Sequence, residues 1–509
     1  MMRAITIQLV LAAFLLACAA APPAAAQRRP VVETASGQVR GIRDNDVSAF
    51  RGIPFAAPPV GERRWRAPSA PDRWSGVRDA STYGDVCPQA QGASLYQLRD
   101  TPMSEDCLFI NVFSPATSAD ANLPVMVWIH GGGFRIGAGG IPLYDGTSLA
   151  RRGVVLVTFN YRLGLLGVFD HPELEREQAG QPRANYALMD QIAALEWVKD
   201  NIARFGGDPN RVTLFGESAG GVSVMLLMAN ERSNTLFHQA IIESAGGWTR
   251  SPTSATAQAL GLRVSSTLAA QDMAALRAVS ADALVSTLDQ LTPPLGYTPL
   301  IDGELVRESI PDAFAAGRFR SMPIIVGANT YEQNLIAAAS AAPARRAMIA
   351  GLTGEQQSAL RAVYGADAPD DDALAGVLFR DGGFVAPARW IARRNTANSY
   401  YYRYAHIRVA QRGESPGAGH GAEVPYVFDS LAAISPAARL MWRAEDRRMA
   451  QVLGECWTSF ARTGEPSCGD TWQSTAAAPG RVMIFDNGAA SFVDDPWGPR
   501  LDLHDAVRR

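Results

Sequence analysis

The stretch V-T-L-F-G-E-S-A-G-G, from Val212 to Gly221, is the most informative part of this chain for its fold. Its first four residues are apolar or β-branched, as in a buried strand, and they run directly into the pattern G-x-S-x-G. The residues that follow, Ala219 to Met228, are small and then strongly apolar, which predicts a buried helix. A strand that turns sharply into a helix at a serine is a nucleophile elbow, so Ser218 is the first candidate nucleophile.

A second glycine-rich turn lies upstream, again directly after an apolar segment. The run from Leu123 to Ile129 is typical of a buried strand and ends in H-G-G-G-F. Because glycine has no β-carbon, the backbone N–H groups of Gly132 and Gly133 can approach a developing negative charge closely. With the amide of Ala219 they form a predicted oxyanion hole, and a plain flexible turn is the alternative interpretation.

The choice of a general base is narrow because the chain has only 6 histidines. In the fold that this elbow indicates, the acid and then the histidine follow the serine along the chain. His406 and His420 are placed suitably, but His406 falls inside a strand-like run, Tyr400 to Val409. His420 lies in a loop of small residues, P-G-A-G-H-G-A-E, and is the expected base.

The acid has three candidates between the serine and this histidine. Glu332 ends the segment M-P-I-I-V-G-A-N-T-Y-E, a buried-strand pattern followed at once by a polar loop. Asp302 and Asp381 follow no strand of comparable clarity and are weaker candidates. The competing interpretation of Glu332 is an ordinary solvated side chain, since most carboxylates are exposed.

Over nearly its whole length the chain resembles the type-B carboxylesterases, a branch of the α/β-hydrolase superfamily that includes cholinesterases and bacterial para-nitrobenzyl esterases. The resemblance implies an α/β-hydrolase fold: a mostly parallel central sheet flanked by helices, with helical insertions around the active-site mouth. The Ala-rich, weakly periodic region from Ser254 to Ser286 is expected to form helices around that mouth. Besides the motifs above, the matching segments are F-R-G-I-P-F-A-A-P-P-V-G at Phe50–Gly61, S-E-D-C-L-F-I-N-V-F at Ser104–Phe113, N-Y-R-L-G at Asn160–Gly164, N-Y-A-L-M-D-Q-I-A-A-L-E-W-V at Asn185–Val198, F-G-G-D-P-N at Phe205–Asn210 and W-x-x-F-A-R-T-G-x-P at Trp457–Pro466.

Carried over to matching positions, the resemblance implies the same assignment as the residues themselves. It also implies supporting polar roles for Glu217, beside the serine, and Ser244, in Q-A-I-I-E-S-A-G. The implied catalytic set is Ser218 as nucleophile, Glu332 as acid and His420 as base, with Gly132, Gly133 and Ala219 as oxyanion donors.

Three aromatic residues, Phe134, Trp248 and Phe384, are candidates for the wall of a substrate pocket. Ordinary core packing is the alternative, because large aromatic side chains are usually buried. In cholinesterases a tryptophan in the first disulfide loop contacts the quaternary ammonium group. The matching loop, Pro88 to Asp106, has no tryptophan and only Tyr96 as an aromatic residue, which argues against choline esters.

The implied activity is hydrolysis of small to medium, neutral carboxylic esters through an acyl-enzyme, with water as co-substrate and no metal or organic cofactor. Two alternatives stay open. One is hydrolysis of another acyl bond, such as a lipid, amide, carbamate or toxin ester, on the same triad. The other is a non-catalytic binding protein, since this fold has relatives that lost the triad.

Composition fits one large domain. The 509 residues are 47% hydrophobic and 19% charged, enough to bury a sizeable core. The formal net charge is −3 and basic residues are scattered, so the sequence predicts no nucleic-acid partner and no polybasic membrane patch. Nothing in it fixes the oligomeric state, and we expect a monomer.

The N-terminus has the pattern of an export signal. Residues 1–26 combine Arg3, an apolar run and a small-residue site, Ala24-Ala25-Ala26, which leaves 27–509 as a single carboxylesterase domain. A periplasmic or secreted location follows, with no transmembrane segment. The alternative is lipid anchoring through Cys18 in L-L-A-C.

Four cysteines remain in the predicted mature chain, an even number that suits disulfides in an exported protein. The family resemblance implies the pair Cys87 with Cys107. The pair Cys456 with Cys468 is expected only from nearness and parity.

Overall fold

The structure is a computed structural model that describes residues 29–90, 101–248, 250–293, 295–336, 347, 349–430 and 441–507. The predicted export signal, including Cys18, and Tyr96 lie outside the described residues. The boundary of the domain at residue 27 therefore stays a prediction.

The described strands form two sheets, a small one of 3 strands and a large one of 11. The strands are β1 (Val31–Thr34), β2 (Gly37–Arg40), β3 (Ile42–Asp44), β4 (Val47–Pro54), β5 (Val77–Asp79), β6 (Phe109–Ser114), β7 (Leu123–Ile129), β8 (Val155–Phe159), β9 (Gly207–Glu217), β10 (Gln239–Glu243), β11 (Ile324–Asn329), β12 (Ser399–Tyr404), β13 (Arg481–Asp486) and β14 (Ala489–Asp494).

The large sheet has the order β14-β13-β12-β11-β10-β9-β7-β8-β6-β4-β3, and the small one has the order β1-β2-β5. From β8 through β7, β9, β10, β11 and β12 to β13, every neighbouring pair in the large sheet is parallel. Both ends of this sheet are antiparallel, with β14 at one end and β6, β4 and β3 at the other. The mostly parallel sheet predicted from the sequence is confirmed.

Helices follow most of the parallel strands, as crossovers between parallel neighbours require. The region predicted to be helical after Ser254 does form helices. The α-helices described are α1 (Thr147–Ala150), α2 (Gly164–Gly167), α3 (Pro172–Glu177), α4 (Tyr186–Asn201), α5 (Ala219–Ala229), α6 (Ser254–Thr267), α7 (Met273–Ala278), α8 (Ala281–Leu291), α9 (Ile310–Ala315), α10 (Gly354–Tyr364), α11 (Asp371–Arg380), α12 (Ala386–Arg394), α13 (Val424–Val427), α14 (Ala444–Thr463) and α15 (Gly498–Val507).

The large sheet is covered by apolar packing on both faces. Along β7, Val125 and Val127 belong to one hydrophobic cluster, whereas Met126 and Trp128 belong to another. Successive side chains of a strand point to opposite faces, so the two clusters lie on opposite sides of the sheet. The first cluster includes residues of α4 and α5, and the second includes residues of α14. The central strands are therefore apolar throughout, as in other parallel sheets.

Both expected disulfides are present, Cys87 with Cys107 and Cys456 with Cys468. Such bonds are consistent with an extracellular or periplasmic protein. Among the described residues, no helix has the length and apolar character needed to cross a membrane.

Removing the first disulfide should lower stability more than removing the second. The Cys87–Cys107 bond spans a sequence separation of 20 and the Cys456–Cys468 bond one of 12, and a longer closed loop restricts the unfolded chain more. We expect the serine double variant of the first pair to lose about 2–5 kcal/mol of unfolding free energy in urea titration. An unchanged unfolding midpoint would show that this bond does not stabilise the fold.

Candidate active site

The candidate site lies at the carboxyl ends of neighbouring parallel strands, where open α/β sheets bind their ligands. In the register of the sheet, Ile129 of β7 is opposite Gly216 of β9, and Glu217 of β9 is opposite Glu243 of β10. Glu243 is in turn opposite Gly327 of β11. The loops that leave β7, β9, β10 and β11 therefore begin side by side.

Ser218 is the single residue between the end of β9 and the start of α5. Its backbone has φ +57° and ψ −122°, a conformation that is costly for a residue with a side chain and typical of functional sites. The Ser218 N–H donates to the Glu243 carbonyl at 2.9 Å. The turn also needs glycine at Gly220, because a β-carbon there would lie 2.0 Å from the Ile129 carbonyl oxygen. The strand, sharp turn and helix predicted from the sequence are confirmed.

The glycine loop after β7 lies directly against this serine. A β-carbon on Gly131 would come within 3.1 Å of the Ser218 β-carbon, so the two segments are in contact. Gly132 and Gly133 have φ of +100° and +62°, which glycine adopts without strain. The predicted oxyanion donors are thus on the two segments that meet at Ser218, the loop and the first turn of α5.

The buried side chain of His130 holds the start of this glycine loop in place. Its ring stacks on Tyr161 at a centroid distance of 4.2 Å, and the Tyr161 hydroxyl donates to the His130 carbonyl at 2.8 Å. The His130 side chain is fully buried, and burial lowers its pKa to about 4. A neutral, stacked imidazole of this kind holds the backbone of the loop in place.

His420 and Glu332 form the contact that the sequence predicts. The His420 Nδ1 is 2.5 Å from the Glu332 Oε2. The other carboxylate oxygen of Glu332 accepts the Asn329 N–H at 2.7 Å, and the Glu332 side chain is fully buried. A carboxylate held in this way fixes the orientation of the imidazole ring.

The loop that carries His420 is tied to the loop after β11 by further hydrogen bonds. The Tyr331 N–H donates to the Ala418 carbonyl at 2.8 Å, and the Asn329 amide donates to the Gly419 carbonyl at 2.7 Å. The His420 N–H donates to the Asn334 side-chain oxygen at 2.9 Å. Residues far apart in the sequence are therefore held together at the site.

The second ring nitrogen of His420, Nε2, forms no hydrogen bond with Ser218 in this structure. Its Nε2 lies 3.0 Å from the Glu217 Oε1, and no hydrogen bond of the described residues joins the Ser218 hydroxyl to the imidazole. Glu217 immediately precedes the serine, so the imidazole lies beside the elbow and close to the Glu217 carboxylate, although the Glu217 Oε1 accepts no hydrogen bond from it. Hydrogen bonds of this type are often loose before substrate binds and tighten in the complex.

The charges explain why the imidazole and this carboxylate are paired. Burial lowers the pKa of His420, but the charges of Glu217 and then Glu332 outweigh it and raise the pKa to about 9. Burial raises the pKa of the Glu217 carboxyl to about 7 despite the opposing charge of His420. At neutral pH the resting site therefore favours a protonated imidazole between two carboxyl groups.

Two further buried glutamates, Glu243 and Glu423, were not predicted from the sequence. Trp457 Nε1 donates to the Glu243 carboxyl at 2.9 Å, while Ser244 Oγ lies 3.5 Å from a Glu423 oxygen. Asn329 also bonds to Glu423. Burial raises the pKa of Glu243 to about 8 and that of Glu423 well above its usual range. Burial therefore favours the protonated, uncharged form of both carboxyl groups.

A signal for these two residues exists in the sequence. Glu243 ends the apolar run Q-A-I-I-E, and Glu423 follows His420 in H-G-A-E, so each is a charge placed at the edge of a buried segment. Charged residues are rarely fully buried, and such positions therefore indicate either a functional site or a compensating partner.

The rival candidates have other partners. Asp302 accepts the Asn185 amide at 2.7 Å and also the N–H groups of its own turn. Asp381 is paired with Arg380 at 2.6 Å. His406 is 3.0 Å from Asp446, and the strand predicted from Tyr400 to Val409 ends at Tyr404. None of these contacts involves His420.

The three aromatic candidates differ in their relation to the site. The Phe384 ring lies 5.3 Å from the His420 ring, centroid to centroid. Trp248 belongs to the same hydrophobic cluster as Phe384. Phe134 has φ +57° in the glycine loop, and its side chain is buried in the main core against Tyr161.

Comparison with known proteins agrees with this geometry. Residues 28–495 match the carboxylesterase family. The chain is similar to the fumonisin B1 esterase of Sphingopyxis macrogoltabida, with 38% identity over 91% of this chain and 87% of that protein. It is also similar to the para-nitrobenzyl esterase of Bacillus subtilis (strain 168), with 36% identity over 90% of this chain and 95% of that one. A solved PNB esterase superposes with a TM-score of 0.79 and 32% identity, covering 94% of this chain and 100% of that chain.

This chain therefore belongs to the carboxylesterase family, a family of carboxylic ester hydrolases, and has the α/β-hydrolase fold.

Proposed function

We propose that this protein hydrolyses small to medium, neutral carboxylic esters through an acyl-enzyme formed on Ser218. His420 is the base, Glu332 orients it, and the N–H groups of Gly132, Gly133 and Ala219 bind the oxyanion. The observation that carries the proposal is the meeting, at one edge of the sheet, of a strained serine, a glycine loop and a histidine paired with a buried carboxylate.

The chemistry follows from this arrangement. His420 Nε2 accepts the proton of Ser218 as the serine oxygen attacks the ester carbonyl, and the imidazolium then returns it to the departing alcohol. Water repeats the sequence on the acyl-enzyme and releases the acid. Each donor to the oxyanion contributes on the order of 10²-fold in rate. Glu217 and Ser244 support the imidazole and its surroundings without contacting the reacting carbonyl.

The resting contact between His420 and Glu217 adds one step to this sequence. Before it can act as a base, the imidazole must release its Nε2 proton and turn this nitrogen from Glu217 toward Ser218. The proton is lost to solvent more completely as the pH rises toward the raised pKa of His420.

The proposal for neutral esters rests on the surroundings of the imidazole. Phe384 covers one side of His420, and Phe384 and Trp248 share an apolar cluster, so the space beside the reacting bond suits uncharged groups. A related acyl bond, in a lipid, amide, carbamate or toxin ester, is the second candidate. It is supported by relatives named for several different esters, including a fumonisin esterase and a human cocaine esterase.

The direct test is hydrolysis of para-nitrophenyl esters from acetate to long acyl chains, with purified protein lacking residues 1–26. We expect activity that declines at long chain length and that Ser218→Ala abolishes. If no para-nitrophenyl ester is cleaved but amides or carbamates are, the second candidate is correct. If none of these is cleaved, the protein is a non-catalytic member of the fold.

Replacing Glu217 by glutamine should extend activity to lower pH. The negative charge of Glu217 stabilises the protonated imidazole, so its removal lowers the pKa of His420 and leaves the base free at lower pH. We expect the acidic limb of the kcat/KM profile to move down by roughly one pH unit.

The control for this variant is Glu196→Gln, which removes a half-exposed carboxylate paired with Arg232. Its pH profile should match that of the unmodified protein. An acidic limb that stays in place or moves to higher pH in Glu217→Gln would show that Glu217 does not set the protonation of His420.

The location of the protein is also proposed from the sequence. We infer cleavage after residue 26 and a periplasmic or secreted mature protein, a location that the two disulfides support. N-terminal sequencing of the exported protein tests it, because lipid anchoring would instead leave Cys18 as the first residue.

A further inference from the structure

The direction of the Gly132 N–H depends on the side chain of His130. In a trans peptide, the carbonyl of one residue and the N–H of the next lie in one plane and point in opposite directions. The Gly131 carbonyl oxygen is 2.9 Å from the His130 Nδ1, and because a carbonyl can only accept, the imidazole donates from Nδ1. His130 therefore holds one end of the peptide whose other end is the Gly132 N–H.

The Gly133 N–H is held in the same way from further along the turn. The Gly132 carbonyl, at the opposite end of that peptide, accepts the Ile136 N–H at 3.1 Å. The next residue, Gly137, lies against the imidazole, since a β-carbon there would overlap the His130 Nδ1. The directions of both glycine N–H groups therefore depend on where Ile136 and Gly137 lie.

The side-chain amide of Gln89 holds Gly137 by both of its backbone groups. The Gln89 Oε1 accepts the Gly137 N–H at 2.7 Å, and the Gln89 Nε2 donates to the Gly137 carbonyl at 2.9 Å. The same Nε2 donates to the Cys87 carbonyl at 3.0 Å. The Gln89 side chain is buried, so water does not compete for these bonds. The segment beside the first disulfide is thus fastened to the glycine loop.

A second amide holds the turn two residues further on. The Gly139 N–H donates to the Asn160 Oδ1 at 2.8 Å, and the Asn160 Nδ2 donates to the Cys107 carbonyl at 3.0 Å. Gly139 lies against the Phe159 backbone and not against the imidazole. Loss of the Gln89 amide should therefore loosen Gly137 while Asn160 keeps the turn attached.

A purely structural role is the competing explanation for Gln89. Buried backbone N–H and carbonyl groups need hydrogen-bond partners in any fold, and that need alone would account for an amide beside Gly137. It does not account for the contact of Gly137 with the edge of His130 that donates to the loop. The two explanations differ in what they predict for the rate of the reaction.

We propose that Gln89 is a positioning residue for the oxyanion hole. By holding Gly137 against His130, it keeps the two glycine N–H groups directed at the substrate oxygen that becomes negative. This role rests on the proposed ester hydrolysis at Ser218. It makes a residue outside the glycine loop one of the determinants of the catalytic rate.

The first test is Gln89→Met, which nearly keeps the length of the side chain and removes its bonds to Gly137. We expect kcat and kcat/KM for para-nitrophenyl acetate to fall together by about tenfold, less than the roughly 10²-fold cost of losing a donor, because the N–H groups remain but are less well directed. KM should change little, since the oxyanion exists only in the transition state and the tetrahedral intermediate.

Inhibition by a trifluoromethyl ketone reports on the oxyanion hole directly. The Ser218 oxygen adds to the ketone carbon, the electron pair of the broken C=O π bond becomes the negative charge on oxygen, and His420 takes the serine proton. The inhibition constant should rise in Gln89→Met by the same factor as kcat/KM falls. The corresponding trifluoromethyl alcohol cannot add to the serine, so its inhibition constant should be unchanged.

Gln178→Met is the matched control, because it removes another buried amide. The Gln178 Nε2 donates to the Trp65 carbonyl at 2.7 Å. This variant should lower the unfolding temperature and leave kcat and ketone inhibition unchanged. If Gln89→Met does not fold, Gln89→Ala, with a smaller side chain, gives the same comparison.

Two results would overturn this role of Gln89. One is a folded Gln89 variant with unchanged kcat and unchanged ketone inhibition, which would leave Gln89 a structural residue only. The other is an equal loss of ketone and alcohol binding, which would indicate a disturbed pocket. Ester hydrolysis by the unmodified protein would show in both cases that the proposed function stands. An unmodified protein that neither hydrolyses the ester nor prefers the ketone to the alcohol would contradict both proposals.

Discussion

Ser218→Ala is expected to lower kcat for para-nitrophenyl acetate by about 10⁵- to 10⁶-fold, the size of effect seen when a triad serine is removed. In the proposed mechanism the Ser218 oxygen forms the bond to the acyl group, and an alanine side chain has no atom that can do so. Alanine fits the same φ +57° turn as well as serine does, so folding should be unaffected. The measurement is steady-state hydrolysis by both proteins, and thermal unfolding of each protein shows whether it is folded.

A control variant and the residual activity of Ser218→Ala help to interpret this result. Ser286→Ala removes an exposed serine of α8 and should keep full activity, which controls for handling and contamination. The activity that remains in Ser218→Ala should come only from the oxyanion hole and from substrate binding. It should still exceed the rate of the uncatalysed reaction in water. A correctly folded Ser218→Ala protein with near-normal activity would assign the nucleophile to another residue.

The second large effect is expected for His420→Ala, again about 10⁵-fold or more in kcat. Without the imidazole the site loses the base that Glu332 orients for the serine proton in the proposed mechanism. Added imidazole should restore part of the activity by entering the space left by the side chain. Rescue of this kind indicates a lost base and not a disturbed fold.

His406→Ala is the contrasting variant. His406 is fully buried and bonds to Asp446, on α14, so its loss should lower the unfolding temperature while kcat of the folded protein stays within a few-fold. If His406→Ala lost as much kcat as His420→Ala, or if His420→Ala stayed active, the assignment of the base would be wrong.

The sequence predicted the local parts of the site well. Leu123–Ile129 is a strand with the predicted bounds, and β9 and α5 flank Ser218 as expected. These segments are recognisable because each combines a strong apolar pattern with glycines that the turn geometry requires. The pairing of His420 with Glu332 was also predicted, because Glu332 follows a clear strand pattern that Asp302 and Asp381 lack and the family resemblance implies the same acid.

Element ends were predicted less accurately. The strand expected to reach Val409 stops at Tyr404. Apolar residues continue beyond it, so hydrophobic pattern alone does not show where backbone pairing ends.

The resting contact of His420 with Glu217 was not predictable from the sequence. It depends on an angstrom-scale choice between two neighbouring groups on the same turn, Ser218 and Glu217, and on which of four buried glutamates are charged. Those glutamates come from β9, β10, the loop after β11 and the His420 loop, so only the folded chain shows that they share one space.

The central claim is that hydrolysis passes through an acyl group on Ser218, and covalent trapping tests it most directly. The mature protein is mixed with a para-nitrophenyl ester of a hindered acid, which deacylates slowly, then quenched in acid for intact mass measurement and peptide mapping. The account predicts one acyl group per molecule, on the peptide with G-E-S-A-G-G, appearing with the first equivalent of nitrophenol. Steady turnover without any adduct, or an adduct on a peptide that lacks Ser218, would contradict it.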